Sequence, residues 1–163
     1  MNILCLDMSL NHTGFAVFSD NNLLESGVIE PKRKDKDMIG EERIEFIRNY
    51  IESLLVSTEF NTKNKVEVVV IEDYGFGARG RAVFDLGELG GVVKNYFFKL
   101  GIKVVKVAPT ALKKFVTGSG RSDKNVMLMK IYKKYGKEFL DDNEADAYAL
   151  GKYYFEVVKN VNR

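Results

Sequence analysis

The chain is poor in the residues that staple, coordinate or interrupt a fold. A single cysteine, Cys5, among 163 residues excludes an internal disulfide, and its place in the run Ile3-Leu4-Cys5-Leu6 suits a buried thiol better than a nucleophile. One histidine, His12, and one cysteine cannot assemble a zinc site. The only two prolines, Pro31 and Pro109, fall where one expected element gives way to the next. No apolar run approaches the ~18 residues of a membrane helix. The N-terminus opens directly on an apolar run, without the basic stretch and small-residue cleavage site of a secretory signal, so a soluble cytoplasmic protein with no membrane contact is expected. A Walker-type phosphate loop is also missing. Gly75-Phe76-Gly77-Ala78-Arg79-Gly80 is not followed by Lys-Ser or Lys-Thr, which argues against a nucleotide cofactor.

What is present is ordinary in bulk: 45% hydrophobic and 29% charged residues, the balance of a globular domain. With no repeat, linker or low-complexity tract, residues 1–163 read as one domain. A net charge of +2 neither demands nor excludes nucleic acid, but the charge is unevenly spread. Basic residues gather at Lys32-Arg33-Lys34, at Lys113-Lys114 and from Arg121 to Lys134; acids gather at Glu138 and from Asp141 to Asp146.

Residues 2–8, 12–19 and 22–30 read as three short strands separated by Asn11 and by Asp20-Asn21-Asn22. Ile44, Ile47, Ile51 and Leu54 or Leu55 then recur at helical spacing through about residue 58. Val66 to Ile71 and Ile102 to Val107 are apolar strands either side of a helical pattern carrying Val83, Leu86, Leu89 or Gly90, Val93 and Phe97, which implies parallel neighbours. Helices over about 109–116, 123–135 and 143–157 complete an α/β order of βββαβαβααα.

Two strands end in a carboxylate. Asp7 closes the first, ahead of Ser9, Asn11, Thr13 and Gly14, and Glu72 closes Val68-Val69-Val70-Ile71. If those strands are parallel neighbours, both acids sit at the carboxyl edge, where open α/β sheets place their sites. Asp146 could join them from the last helix. Carboxylates so gathered repel one another unless a cation is present, and hard oxygen ligands imply magnesium or manganese. A pair of such ions suits phosphodiester hydrolysis. For either strand-terminal acid alone, capping a loop or pairing with a lysine is the blander alternative.

Several segments together resemble one family. Leu6-Asp7-Met8-Ser9 with Thr13-Gly14, Val70-Ile71-Glu72, Ala108-Pro109-Thr110 through Lys124, and Asn143-Glu144-Ala145-Asp146-Ala147 look like the RuvC-type Holliday junction resolvases of the ribonuclease H-like superfamily, in the right order and over nearly the whole chain. The resemblance implies a five-stranded mixed sheet flanked by helices. It also implies a magnesium-dependent, structure-selective DNA endonuclease with manganese as a substitute and two ions per site. Asp7, Glu72 and Asp146 would be the metal ligands, and Lys113 and Lys124 would contact phosphate and support transition-state charge. Lys114 and Arg121 lie in the same basic block and would meet DNA. Tyr74 and Phe76, in the loop after Glu72, are candidates for wedging bases at the crossover.

One position departs from the family: its acid or histidine three residues before the last aspartate is Asn143 here. Asp142, one helical turn before Asp146, and Asn143, as a neutral ligand, are rival fourth ligands, with helix capping open to either. Gly87, Gly90 and Gly91 inside one helix each cost roughly 1 kcal/mol against alanine, which points either to a homodimer contact, as the family would have, or to close packing on the protein's own sheet. The alternative functions are a broader flap or fork nuclease and a branched-DNA binding protein without chemistry. Richness in lysine, asparagine and isoleucine would suit a bacteriophage or a low-GC bacterium.

Overall fold

A computed structural model describes residues 1–32, 38–56, 65–73 and 80–161. Strands β1 (Asn2–Asp7), β2 (Thr13–Ser19) and β3 (Asn22–Ile29) form an antiparallel meander. Its second turn is the two-residue loop Asp20-Asn21, both at positive φ (45° and 71°), the geometry that matches strand twist and that Asp and Asn tolerate. Helix α1 (Gly40–Val56) leads to β4 (Val66–Glu72), which pairs parallel with β1, and α2 (Arg81–Lys99) leads to β5 (Lys103–Val107), parallel to β4. The sheet is five-stranded in the order β3-β2-β1-β4-β5. Helices α3 (Pro109–Thr117), α4 (Lys124–Tyr135) and α5 (Asp142–Tyr153) follow. The expected order is therefore observed, but the chain stays helical past 157, through a π turn at Tyr154–Val158 into a final turn at Lys159–Val161.

Element ends follow local chemistry. Pro109 opens α3, where its missing N–H costs nothing, and Gly118, at φ 85°, closes it. Asp123 caps α4 by accepting from the Val126 amide at 2.9 Å. Gly136, in the left-handed conformation, ends α4.

Strand alternation sorts the core into two layers. Ile3 and Cys5 face a cluster with Leu112, Met127, Ala147 and Leu150 from α3, α4 and α5. Leu4, Leu6 and Met8 face the other way, onto Ile47 and Ile51 of α1 and Leu89, Val93 and Phe97 of α2. Cys5 is fully buried, as its sequence context indicated. Gly87 and Gly91 are not packing on the sheet, since a Cβ added to either meets nothing within 4 Å. Among the described residues no helix is long and apolar enough to cross a membrane.

Helix α5 lies unusually close to β2. A Cβ on Gly14 would stand 2.0 Å from the Asn143 carbonyl oxygen, and one on Gly151 would stand 2.1 Å from the Phe18 ring. Backbone and ring cannot yield that far without moving the helix. Gly14→Ala and Gly151→Ala are each expected to lower stability by about 1–3 kcal/mol, read from urea unfolding. Wild-type midpoints would show that the helix can lift freely.

Candidate active site

Leu6 pairs with Ile71 across the parallel β1–β4 junction, so the next residues, Asp7 and Glu72, end side by side at the carboxyl edge. Pairing continues outward toward β5: Glu72 faces Val107, and the Asp73 amide donates to the Val107 carbonyl at 2.8 Å. The turn after Asp7 is pinned by Thr13, whose fully buried hydroxyl accepts from the Ser9 amide at 3.1 Å and donates to the Ser9 carbonyl at 2.5 Å.

Helix α5 brings the third acid. Its first turn rests on Gly14, the residue paired with Asp7, while Ser26 of β3 donates to Glu144 at 2.6 Å. Asp141 caps the helix by accepting from the amides of Asn143 (2.8 Å) and Glu144 (3.2 Å). These contacts set the height at which Asp146 meets the sheet. Asp7, Glu72 and Asp146 line one cavity of about 210 Å³ together with Lys113, Lys124, Leu112 and Met127.

Burial and repulsion raise the proton affinity of all three acids. Asp7 is pushed well above the usual carboxylate range by burial first and then by Glu72 and Asp146. Glu72 rises to about 7 through burial and then Asp146, with Lys113 and Lys124 opposing. Asp146 rises to about 6 through burial, again against both lysines. Without further positive charge the site therefore holds protons near neutrality.

Among the described residues no three acidic, histidine or cysteine side chains are drawn in tightly enough to enclose an ion as they stand. The fit to a divalent cation lies in donor type: carboxylates of raised proton affinity facing one cavity are ligands for a hard ion such as magnesium. Such an ion would supply a Lewis acid for phosphate oxygens and a more acidic bound water.

The other residues singled out from the sequence fall into four groups. Lys113 and Lys124 line the cavity; Lys114 and Arg121 are exposed beyond it. The loop carrying Arg121 is tied by Thr117, whose hydroxyl meets Ser122 Oγ at 2.7 Å and accepts from the Ser119 amide at 3.1 Å. Asp142 and Asn143 do not line the cavity: Asp142 is ion-paired with Lys124, and the Asn143 side-chain amide donates to Asp141 at 3.0 Å. Tyr74 and Phe76 lie outside the described residues.

Sequence reasoning missed Asp141. Burial pushes its carboxyl up, but hydrogen bonds from Asn143 and Glu144 outweigh this and hold it below its ordinary value. The resulting negative charge is felt by both Asp7 and Asp146. The signal was an aspartate just ahead of the helical pattern expected from about 143, and it holds the N-cap position of the observed helix.

Two sheet carboxylates and one helix carboxylate at the carboxyl edge of a β3-β2-β1-β4-β5 sheet define a ribonuclease H-like fold. Thermus thermophilus RuvC shares that fold, with a TM-score of 0.75 and 19% identity over 98% of this chain and 97% of its own. A second structure, T. thermophilus RuvC in complex with Holliday junction substrate, gives 0.72 and 19% over 94% of each chain. RuvC from Ehrlichia canis (strain Jake) is 29% identical over 160 residues, covering 94% of this chain and 97% of that protein. The counterpart from Rickettsia africae (strain ESF-5) is 27% identical over 166 residues, covering 98% and 99%. The family profile described as crossover junction endodeoxyribonuclease RuvC matches residues 3–152. The chain belongs to the RuvC family of crossover junction endodeoxyribonucleases.

The raised acids couple stability to pH. The folded chain keeps protons on Glu72 and Asp146 to about 7 and about 6, whereas the ordinary values are 4.5 and 3.8. Between those limits the fold binds more protons than the unfolded chain, so metal-free stability falls as pH rises through this window and levels off above it. Glu72→Gln is expected to be more stable than the parent by up to about 3 kcal/mol at pH 7.5 without divalent cation, with the difference vanishing near pH 4. A parent whose urea midpoint is flat from pH 4 to 7.5 would contradict this.

Proposed function

We propose that the protein is a homodimeric, single-domain DNA endonuclease that resolves four-way junctions, working with magnesium, or manganese in its place, at two ions per site. The observation that carries this reading is the single cavity lined by Asp7, Glu72, Asp146, Lys113 and Lys124. In this reading Asp7, Glu72 and Asp146 would hold the ions, which would supply Lewis acidity toward phosphate oxygens and a more acidic bound water. Lys113 and Lys124 approach from α3 and α4 and meet phosphate, which gains negative charge as the bond breaks. The Lys124 pair with Asp142 holds that ammonium at the cavity mouth, and exposed Lys114 and Arg121 extend the basic surface along the DNA backbone. The substrate places this work in the cytoplasm of a bacterial cell or a phage-infected host. Support for a branched substrate comes from the likeness to the T. thermophilus RuvC–junction complex.

The outer face of α2 supports the dimer. Phe84 and Phe98 are 74% and 80% exposed, and with Gly87 and Gly91 they share one helical face. Two such faces crossing at the glycines would bury both rings and give two active sites related by a two-fold axis.

Paired nicks in a synthetic four-way junction are expected in magnesium, with cutting abolished in Asp7→Asn and Asp146→Asn and reduced 10²-fold or so in Lys113→Ala. Tight binding with no cutting in either metal would sink the enzyme, whereas equal cutting of forks and flaps would leave a broader nuclease. The double change Phe84→Glu with Phe98→Glu is expected to shift sedimentation from dimer to monomer and to leave unpaired nicks. A wild-type monomer at micromolar concentration would remove the dimer.

A further inference from the structure

At the end of β1 the chain serves two faces within one residue. Asp7 continues the row of Ile3 and Cys5, toward α3, α4 and α5, while Met8 continues the row of Leu4 and Leu6, toward α1 and α2. Beneath Met8 on that second face is another cavity, of about 280 Å³. Met8, Leu10 and Leu86 form its apolar wall, and Ser9, Asn11, Arg43 and Asp85 its polar rim. The active-site cavity and this one therefore open at the same edge of the sheet on opposite sides of one strand, their nearest lining residues a single Cα step of ~3.8 Å apart.

We propose that this second cavity receives one unstacked nucleobase of the DNA strand whose phosphate lies over Asp7, and that its rim selects which base is accepted; the proposal rests on the nuclease reading above. A strand crossing the carboxyl edge with its phosphate on the acidic side presents a neighbouring base to the other side. Size fits: a cavity of ~150 Å³ already holds benzene, and 280 Å³ takes a two-ring purine. Chemistry fits as well. The apolar wall covers the faces of a flat ring, while a guanidinium and an amide offer donors to ring nitrogens and carbonyls, and a carboxylate accepts from exocyclic amines.

The rim is also ordered in advance, which lowers the entropy lost on binding. The Arg43 guanidinium donates to Asn11 Oδ1 at 2.7 Å. The Asn11 and His12 amides donate to Ser9 Oγ at 3.3 and 3.4 Å, and Ser9 is tied in turn to buried Thr13. Unstacking costs least where bases are already unpaired or poorly stacked, as at a strand exchange.

The test places 2-aminopurine, whose fluorescence rises on unstacking, at each nucleotide flanking the cleavage site of a four-way junction bound to Asp7→Asn protein. A rise at one position is expected, together with an at least tenfold spread in wild-type cutting rates among the four bases there. Arg43→Ala and Asn11→Ala should compress that spread to about threefold and quench the rise, with circular dichroism reporting that both variants fold. Cutting of junctions with 2-aminopurine dark at every position would overturn the pocket and leave the nuclease standing. A spread unchanged in both variants would overturn the assignment of the rim. Absence of cutting on any branched DNA would remove the nuclease reading and the pocket with it.

Discussion

The constraint that organises this molecule is the burial of three carboxylates that face one cavity. Burial alone disfavours the charged form of Asp7, Glu72 and Asp146, and neighbouring acids add to the penalty: Glu72 and Asp146 act on Asp7, Asp146 on Glu72, and Asp141 on Asp146. Left to optimise stability, a sheet edge would carry neutral or paired groups. Here two parallel strands and a helix end converge on an arrangement that is unfavourable until positive charge arrives, and the two lysines lining the cavity offset only part of the cost. The fold thus holds this edge away from its own electrostatic optimum.

Holding that arrangement requires rigid neighbours, and helix α5 shows how they are supplied. Its seat is backbone against backbone, with Gly14 leaving no side chain between β2 and the first turn. Lateral position comes from the Ser26–Glu144 hydrogen bond, and the turn is closed by Asp141. Asp141 does two things at once: as a cap it satisfies amides that would otherwise be orphaned, and its own negative charge pushes further on Asp7 and Asp146. A neutral cap such as serine would hold the helix and relax that field.

The strands and helices were legible because alternation and helical periodicity are local properties, and Asp7 and Glu72 stood out as charged ends of apolar runs. Less visible was everything that depends on two distant segments meeting. Counting back from Asp146 by one helical turn selects Asp142, yet that residue lies at the helix start and pairs with Lys124, while Asn143 spends its amide on the cap. The importance of Gly14 lies in a helix more than a hundred residues downstream. For the three glycines of α2 the sequence left two explanations open; open space around Gly87 and Gly91 removes packing on the sheet for those two, whereas Gly90 is buried.

Placing chemistry and base contact on opposite faces of β1 would also separate two kinds of constraint. Residues lining the acidic cavity are constrained by charge and burial, whereas phosphate carries no sequence information. The residues beneath Met8 come from the β1–β2 turn, the first turns of α1 and the start of α2, segments whose side chains can change without moving a carboxylate. A nuclease built this way can alter which base it favours by substitution at Leu10, Asn11 or Arg43 while the strand ends stay fixed. The wall between the two functions is the sheet itself: Leu4 and Leu6 on one side, Ile3 and Cys5 on the other, all fully buried.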